Sequence, residues 1–134
     1  MKAKNAPQKF AIAPEVAVGS VSVWLPIRIH SEANRREHYH AVARRKRSQQ
    51  LMVSMGLMTL QKQVRAWPAW RVTLHRRGKR MLDDDNLQGG FKAVRDAVAR
   101  VIGVDDADKR IKFDYSQDTG KEYLVRIGIE RVQL

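Results

Sequence analysis

The chain contains no cysteine, which excludes a disulfide framework, a thiolate nucleophile and every thiolate metal site. Only four prolines and eight glycines interrupt its 134 residues. No low-complexity linker divides the chain, and its length suits one domain with a real hydrophobic core. No apolar run approaches a membrane span. The basic N-terminal segment is broken by Pro14 and Glu15 and makes a poor signal peptide, so the expected location is the cytoplasm. His30, His38, His40 and His75 include no zinc-type pair, since His38 and His40 are two apart on an expected helix and point to different faces. No phosphate-binding glycine loop, nucleotide fingerprint or Ser-His-Asp spacing is present.

Acid is also scarce. Fourteen acidic residues face 26 basic ones, a formal charge of +12. Such a balance points to a polyanionic partner, nucleic acid before an acidic membrane or protein surface. The distribution is as informative as the sum. No acidic residue falls between His38 and Leu82, a stretch that holds Arg44, Arg45, Lys46, Arg47, Arg76, Arg77, Lys79 and Arg80. Seven of the fourteen acids then crowd between Met81 and Asp108: Asp83-Asp84-Asp85, Asp96, Asp105-Asp106 and Asp108.

Residues 1–19 read as a flexible arm or an added edge, and 20–134 as the domain. Val21, Val23, Leu25, Ile27 and Ile29 alternate with polar neighbours, predicting a half-buried strand with Pro26 as an edge or bulge signal. Asn34 and Glu37 form a capping-box pattern for a helix running into the fifties, with Gly56 as an interruption. Trp70, Val72 and Leu74 predict a second strand ending at Arg77-Gly78. Leu87, Phe91, Val94, Val98 and Val101 define one helical apolar face, ended by Gly103. Ile111, Phe113 and Tyr115 predict a third strand. Tyr123, Val125, Ile127 and Ile129 predict a fourth, joined to the third as a hairpin through Asp118-Thr119-Gly120. The order is β-α-β-α-β-β, an α+β fold with helices packed against a mixed sheet.

Asp83 and Asp85, two apart in extended backbone, would project to one side, with Asp84 facing away. Magnesium favours oxygen ligands and commonly uses few carboxylates plus substrate phosphate. Lys92 would add charge near a scissile phosphate. A plainer reading stands beside this one. Asp85 or Asn86 caps the second helix, Lys92 and Asp96 make a surface ion pair, and Asp105-Asp106 is a polar turn. An EF-hand is disfavoured, because the loop's glycine position is Gln88 and its final glutamate position is Val94. Arg44, Arg45, Lys46 and Arg47 read as a phosphate-contacting patch or as a solvated helix face. Arg76, Arg77, Lys79 and Arg80 read as a DNA-backbone contact or as a basic turn. Trp67 and Trp70 suit base stacking less well than core packing.

Asp83-Asp84-Asp85-Asn86-Leu87-Gln88, then Lys92-Ala93-Val94-Arg95-Asp96-Ala97, then Val104-Asp105-Asp106 resemble the RusA family of Holliday junction resolvases. Ser31-Glu32-Ala33-Asn34-Arg35 is similar to that family's segment after its first strand. The resemblance spans roughly residues 21 to 132. It implies a homodimeric, Mg²⁺-dependent endodeoxyribonuclease that nicks four-way DNA junctions symmetrically, as bacterial and prophage members of that family do. It also implies metal carboxylates at Asp83, Asp85 and Asp106, with Asp105 as an alternative to Asp106, and an essential lysine at Lys92. The family's lysine usually follows the second aspartate by four residues; here Gly89-Gly90-Phe91 make the spacing seven. Three residues rotate a helix by about 300° and advance it about 4.5 Å. Lys92 then stays near the same face but further along, or the glycines delay the helix start and restore the distance. The expectation is therefore a magnesium-dependent, structure-selective endonuclease for branched DNA in recombination and repair. Its rivals are a non-catalytic DNA-binding protein and a metal nuclease for another branched nucleic acid.

Overall fold

The computed structural model describes residues 13–31 and 38–134. Five strands form one mixed sheet: β1 (Glu15–Ala17), β2 (Ser20–Leu25), β3 (Ala69–Gly78), β4 (Ile111–Thr119) and β5 (Leu124–Val132). Their spatial order is β1-β2-β5-β3-β4. β3 and β4 are parallel, and every other pairing is antiparallel. The helices are α1 (Tyr39–Leu57), α2 (Gln61–Arg65), α3 (Asp84–Gly90) and α4 (Lys92–Ile102), with a 3-10 turn at Met58–Leu60 joining α1 to α2. The chain is thus a single α+β domain, as its order of elements predicts.

Strand alternation separates two faces. Val21, Val23, Leu25, Val72, Leu74, Val125, Ile127 and Ile129 share one core with Val53, Leu57, Phe91, Val94 and Val98 from the helices. The opposite face carries Arg71, Thr73, His75 and Arg77 from β3, with Asp114, Ser116 and Asp118 from β4. Trp70 is buried, and its indole N–H donates to the Val64 carbonyl at 2.6 Å. Trp67 is half-buried against the same core. Both serve packing.

Several elements depart from the sequence expectation. β2 stops at Leu25 instead of running to Ile29. Pro26 has no N–H for a ladder, and the Ile27 N–H turns back to the Leu25 carbonyl at 2.8 Å. Ile27 and Ile29 nonetheless stay buried, so their alternation records burial, not strand pairing. Of the two readings of residues 1–19, arm or added edge, the described part follows the second, with Glu15–Ala17 pairing with β2 as a short edge strand; residues 1–12 lie outside the described residues. So do Asn34 and Glu37 of the capping-box pattern and the Glu32–Arg35 part of the segment quoted above; α1 is capped by His38, whose Nδ1 accepts from the His40 N–H. Gly56 lies one residue before the end of α1 at Leu57, close to the expected interruption, and helical structure goes on through the 3-10 turn and α2. The glycine lies so close to Leu25 that a Cβ would sit 2.6 Å from a leucine methyl.

The expected hairpin is absent: β4 and β5 flank β3 and do not pair with each other. The parallel β3–β4 pair needs a crossover, which α3 and α4 supply. β5 then takes the other edge of β3, and its N-terminal connection passes over the strand end, where the Gly120 N–H bonds the Gly78 carbonyl at 3.0 Å. The helical apolar face from Leu87 to Val101 is buried throughout, but Phe91 pivots it into α3 and α4. Gly103, at φ 94°, ends α4 as expected.

Candidate nucleic-acid interface and acidic turn

Arg76 and Arg77 are neighbours in sequence, yet alternation sends them to opposite faces of β3. Arg77 lies on the open face and forms a two-point pair with Asp118 at 3.0 and 2.9 Å, with its guanidinium 4.9 Å from the Trp24 ring centre. The hydrogen bonds from Arg77 hold Asp118 below the usual carboxylate range, against partial burial and with help from His75. His75 lies between Asp118 (Nε2, 3.1 Å) and Ser116 (Nδ1, 2.8 Å). The sheet register creates this Ser116–His75–Asp118 contact, since His75 is paired with Ser116; no sequence spacing announces it. The doubly held Asp118 makes it a structural tie between strands.

Arg76 points the other way, into the helix-bearing side, and is only 4% exposed. It lies in one row with Val125 and Leu25 across three strands. A cavity of about 500 Å³ opens there, lined by Arg28, Arg76, Lys79, Arg80, Leu82 and Tyr123 among others. The Arg28 guanidinium lies 4.1 Å and the Lys79 ammonium 5.9 Å from the Tyr123 ring centre. Arg28 and His30 also border a smaller cavity of about 190 Å³ that reaches Arg45 on α1. The structure therefore brings Arg76, Lys79 and Arg80 together, with Arg45 on the smaller cavity that shares Arg28 and His30 with theirs, while Arg77 stands apart. Arg44 and Arg47 are exposed on α1, and Arg45 and Lys46 are half-buried.

The acidic turn begins one residue beyond this cavity. Gln117 on β4 clamps Leu82 from both sides: its Oε1 accepts from the Leu82 N–H at 3.0 Å, and its Nε2 donates to the Leu82 carbonyl at 2.6 Å. The same Oε1 accepts from Arg76 at 3.3 Å. Asp83 then caps α3, accepting from the Asn86 N–H (2.9 Å) and from its side-chain amide (3.1 Å). The cap is Asp83, where the plainer sequence reading placed it at Asp85 or Asn86. Only Asp83 is extended; Asp84 and Asp85 occupy the first helical turn, where two residues differ by about 200°. The extended-backbone argument for convergence of Asp83 and Asp85 therefore does not apply. Both Asp84 and Asp85 are exposed.

The glycine pair does not delay the helix, which already starts at Asp84. Gly90 is there for space, because a Cβ would lie 2.5 Å from the His30 carbonyl oxygen. Lys92 opens α4 and reaches along it to Asp96 at 2.7 Å and Asp106 at 3.5 Å. Arg95 approaches the same Asp106 oxygen at 3.3 Å. The hydrogen bond to Asp96 raises the Lys92 pKa, opposed by partial desolvation and assisted by Asp106. Partial burial pushes the Asp106 carboxyl up, but the charges of Lys92 and Arg95 and the contact with Asp105 outweigh it and hold the group low. Asp105 accepts from the Ala107 N–H, and Asp108 pairs with Arg110, which takes its pKa down to about 2.

Lys92 and Asp106 are thus brought together, and Asp83 and Asp85 share a turn, but the two groups remain separate. Because β3 and β4 are parallel, the loop leaving β3 and the loop entering β4 start from opposite ends of the sheet. Among the described residues no three acidic or imidazole side chains lie together as a metal-binding group. The donor chemistry of the acidic turn fits magnesium, which keeps several waters and uses one or two carboxylates with substrate phosphate. Asp106 is occupied by two cations and does not join them. Sequence reasoning missed Arg28, Tyr123 and Gln117; Arg28 stood at a polar position of an alternating strand, and Gln117 carried no signal.

Compared with known proteins, the chain matches no family model and no curated protein. Among the described residues no helix is long and apolar enough to cross a membrane.

Proposed function

We propose that this chain is a magnesium-dependent endodeoxyribonuclease selective for branched DNA, acting as a homodimer that resolves four-way junctions by paired nicks. The observation that carries the reading is adjacency: a cavity lined by Arg28, Arg76, Lys79 and Arg80, with no carboxylate paired to them among the described residues, ends at Leu82, and the acidic turn starts at Asp83. A phosphodiester chain bound across that boundary places one phosphate among cations and its neighbour at exposed carboxylates. Arg28, Lys79 and Arg80 bind backbone, Gln117 fixes Leu82 and hence the start of the turn, and Asp83 and Asp85 are the residues that would hold magnesium. Bound there, magnesium supplies a lowered pKa for an attacking water and neutralises charge on the leaving oxygen. In this reading Lys92, whose ammonium is held by Asp96 and Asp106, lends charge to the phosphate only on leaving them. Two-fold symmetry of a dimer suits two matched cuts in a two-fold junction.

A second reading has its own support. Asp83 is committed to capping and Asp106 to Lys92 and Arg95, as in a DNA-binding protein whose acids are structural. The separating experiment is Mg²⁺-dependent nicking of a four-way junction by the wild type and by Asp85→Asn, with a fork, a linear duplex and RNA alongside. Asp85 has no hydrogen bond or ion pair within the described residues, so the variant leaves the fold intact. The expected result is junction binding by both proteins and cutting by the wild type alone. Equal cutting by both sinks the metal assignment, and cutting by neither favours the binding protein.

A further inference from the structure

We infer that the cavity around Arg76 is a built phosphate site that seats one backbone phosphodiester of nucleic acid, with Arg76 as its buried ligand and Arg28, Lys79 and Arg80 as its rim. Burying a guanidinium costs several kcal/mol unless an anion and a full set of hydrogen bonds compensate. Arg76 has neither within the described chain. No carboxylate pairs with it among the described residues, and its Nε is buried without a partner. Its Nη1 is satisfied by the Arg80 carbonyl at 2.7 Å and by Gln117, which fixes the guanidinium in place. Burial lowers its pKa, opposed by Tyr123 and assisted by the Arg28 charge. The cations around it repel one another, and Tyr123, which holds Arg28 and Lys79 against its ring face, stabilises them without neutralising them. An external anion relieves two of these conditions, the unpaired charge and the mutual repulsion.

The anion has the chemistry of phosphate because a fixed guanidinium beside several cations suits its oxygens. A phosphodiester is favoured over a free ion by the surroundings. A second cavity that shares Arg28 and His30 with this one reaches Arg45 on α1, and Leu82 leads from the first into the exposed turn at Asp83, so a chain has a path in both directions. The +12 charge gives a polyanion a further advantage. The inference needs no cleavage chemistry and holds for either reading of the function.

The test is oligonucleotide affinity by fluorescence anisotropy in EDTA, which removes metal and cutting from the measurement. Four variants are compared with wild type: Arg76→Gln, Arg76→Lys, Arg28→Gln and, as an equal loss of charge elsewhere, Arg100→Gln, an exposed residue in the last turn of α4. Arg76→Gln and Arg28→Gln are expected to weaken binding about tenfold, with the slope of log affinity against log salt reduced by roughly one. Arg76→Lys is expected to fall between them and wild type, and Arg100→Gln to change affinity less than threefold, on the order expected for general charge alone. Arg28 is exposed, so its variant reports on the site even if Arg76→Gln folds poorly. Equal losses for Arg28→Gln and Arg100→Gln would overturn the site. Inorganic phosphate is the second probe. Thermal stabilisation by phosphate that disappears in Arg28→Gln, without any matching loss of oligonucleotide affinity, assigns the cavity to a free anion and overturns the phosphodiester.

Discussion

The two faces of β3 handle the same residue type in opposite ways. On the open face, cations are matched with acids across the strand: Arg71 with Asp114, and Arg77 and His75 with Asp118. On the other side, Arg76 is buried beside Arg28, Lys79 and Arg80 with no carboxylate to balance them among the described residues. The first arrangement is a closed account that ties β3 to β4. The second leaves its charge unbalanced among the described residues. Charge density along the sequence does not distinguish them; which side of the strand each residue occupies does.

Changes that break this contrast differ in size. Leu74 lies at the centre of β3 and is fully buried, so Leu74→Ala should remove about 2–5 kcal/mol of stability. Chemical unfolding should show it, and both faces should be lost in one transition. The next effect is smaller and splits the pair. Arg76→Met should leave stability near wild type or above it, since an uncompensated buried charge is replaced by apolar atoms, while oligonucleotide affinity drops about tenfold. Arg77→Met should do the reverse, costing up to about 1 kcal/mol of stability with little change in affinity. Melting curves and anisotropy on both variants decide it; matched behaviour would erase the distinction between the faces.

Acid provides a third test. The folded pKa of Asp118 is depressed by Arg77, so its contribution is complete above the ordinary carboxylate pKa of about 3.9 and is lost as pH falls through the lower folded value. Asp118→Asn should therefore be less stable than wild type at neutral pH, with the gap closing toward pH 3 in melts taken across that range. The smallest effect concerns the acidic region. Lys92→Met removes one of the two cations beside Asp106, and the Asp106 carboxyl should titrate closer to the ordinary range by NMR. An unchanged titration would show that Arg95 alone holds it.

Much of the architecture was legible because burial leaves periodic marks. β3, the face of α3 and α4, and the alternation of β5 follow from apolar spacing alone. The errors came where periodicity reports burial but not partners. Ile27 and Ile29 alternate as a strand does, yet Pro26 takes them out of the sheet. The alternation expected from Tyr123 to Ile129 does form a strand, from Leu124 onward, yet β3 stands between it and β4. The site was partly legible for the same reason. Arg76, Lys79 and Arg80 are marked by charge and do gather, while Arg45 lines the neighbouring cavity. Arg77 was marked equally and lies on the far face. Asp83 and Asp85 were paired on the premise of extended backbone, and the helix starts too early for that premise to hold.

By itself, the sequence determined an α+β domain, a basic surface suited to a polyanion, and a concentration of acid following β3. These properties depend on composition and local spacing. Only the tertiary structure decided which charges are neutralised. Sheet register put Asp118 opposite Arg77, the β3–β4 crossover brought Gln117 to Leu82 and Arg76, and the bend after Pro26 carried Arg28 to the same cavity. Each is a contact between residues far apart in the chain, and electrostatic energy depends on distance and burial, not on order along the sequence.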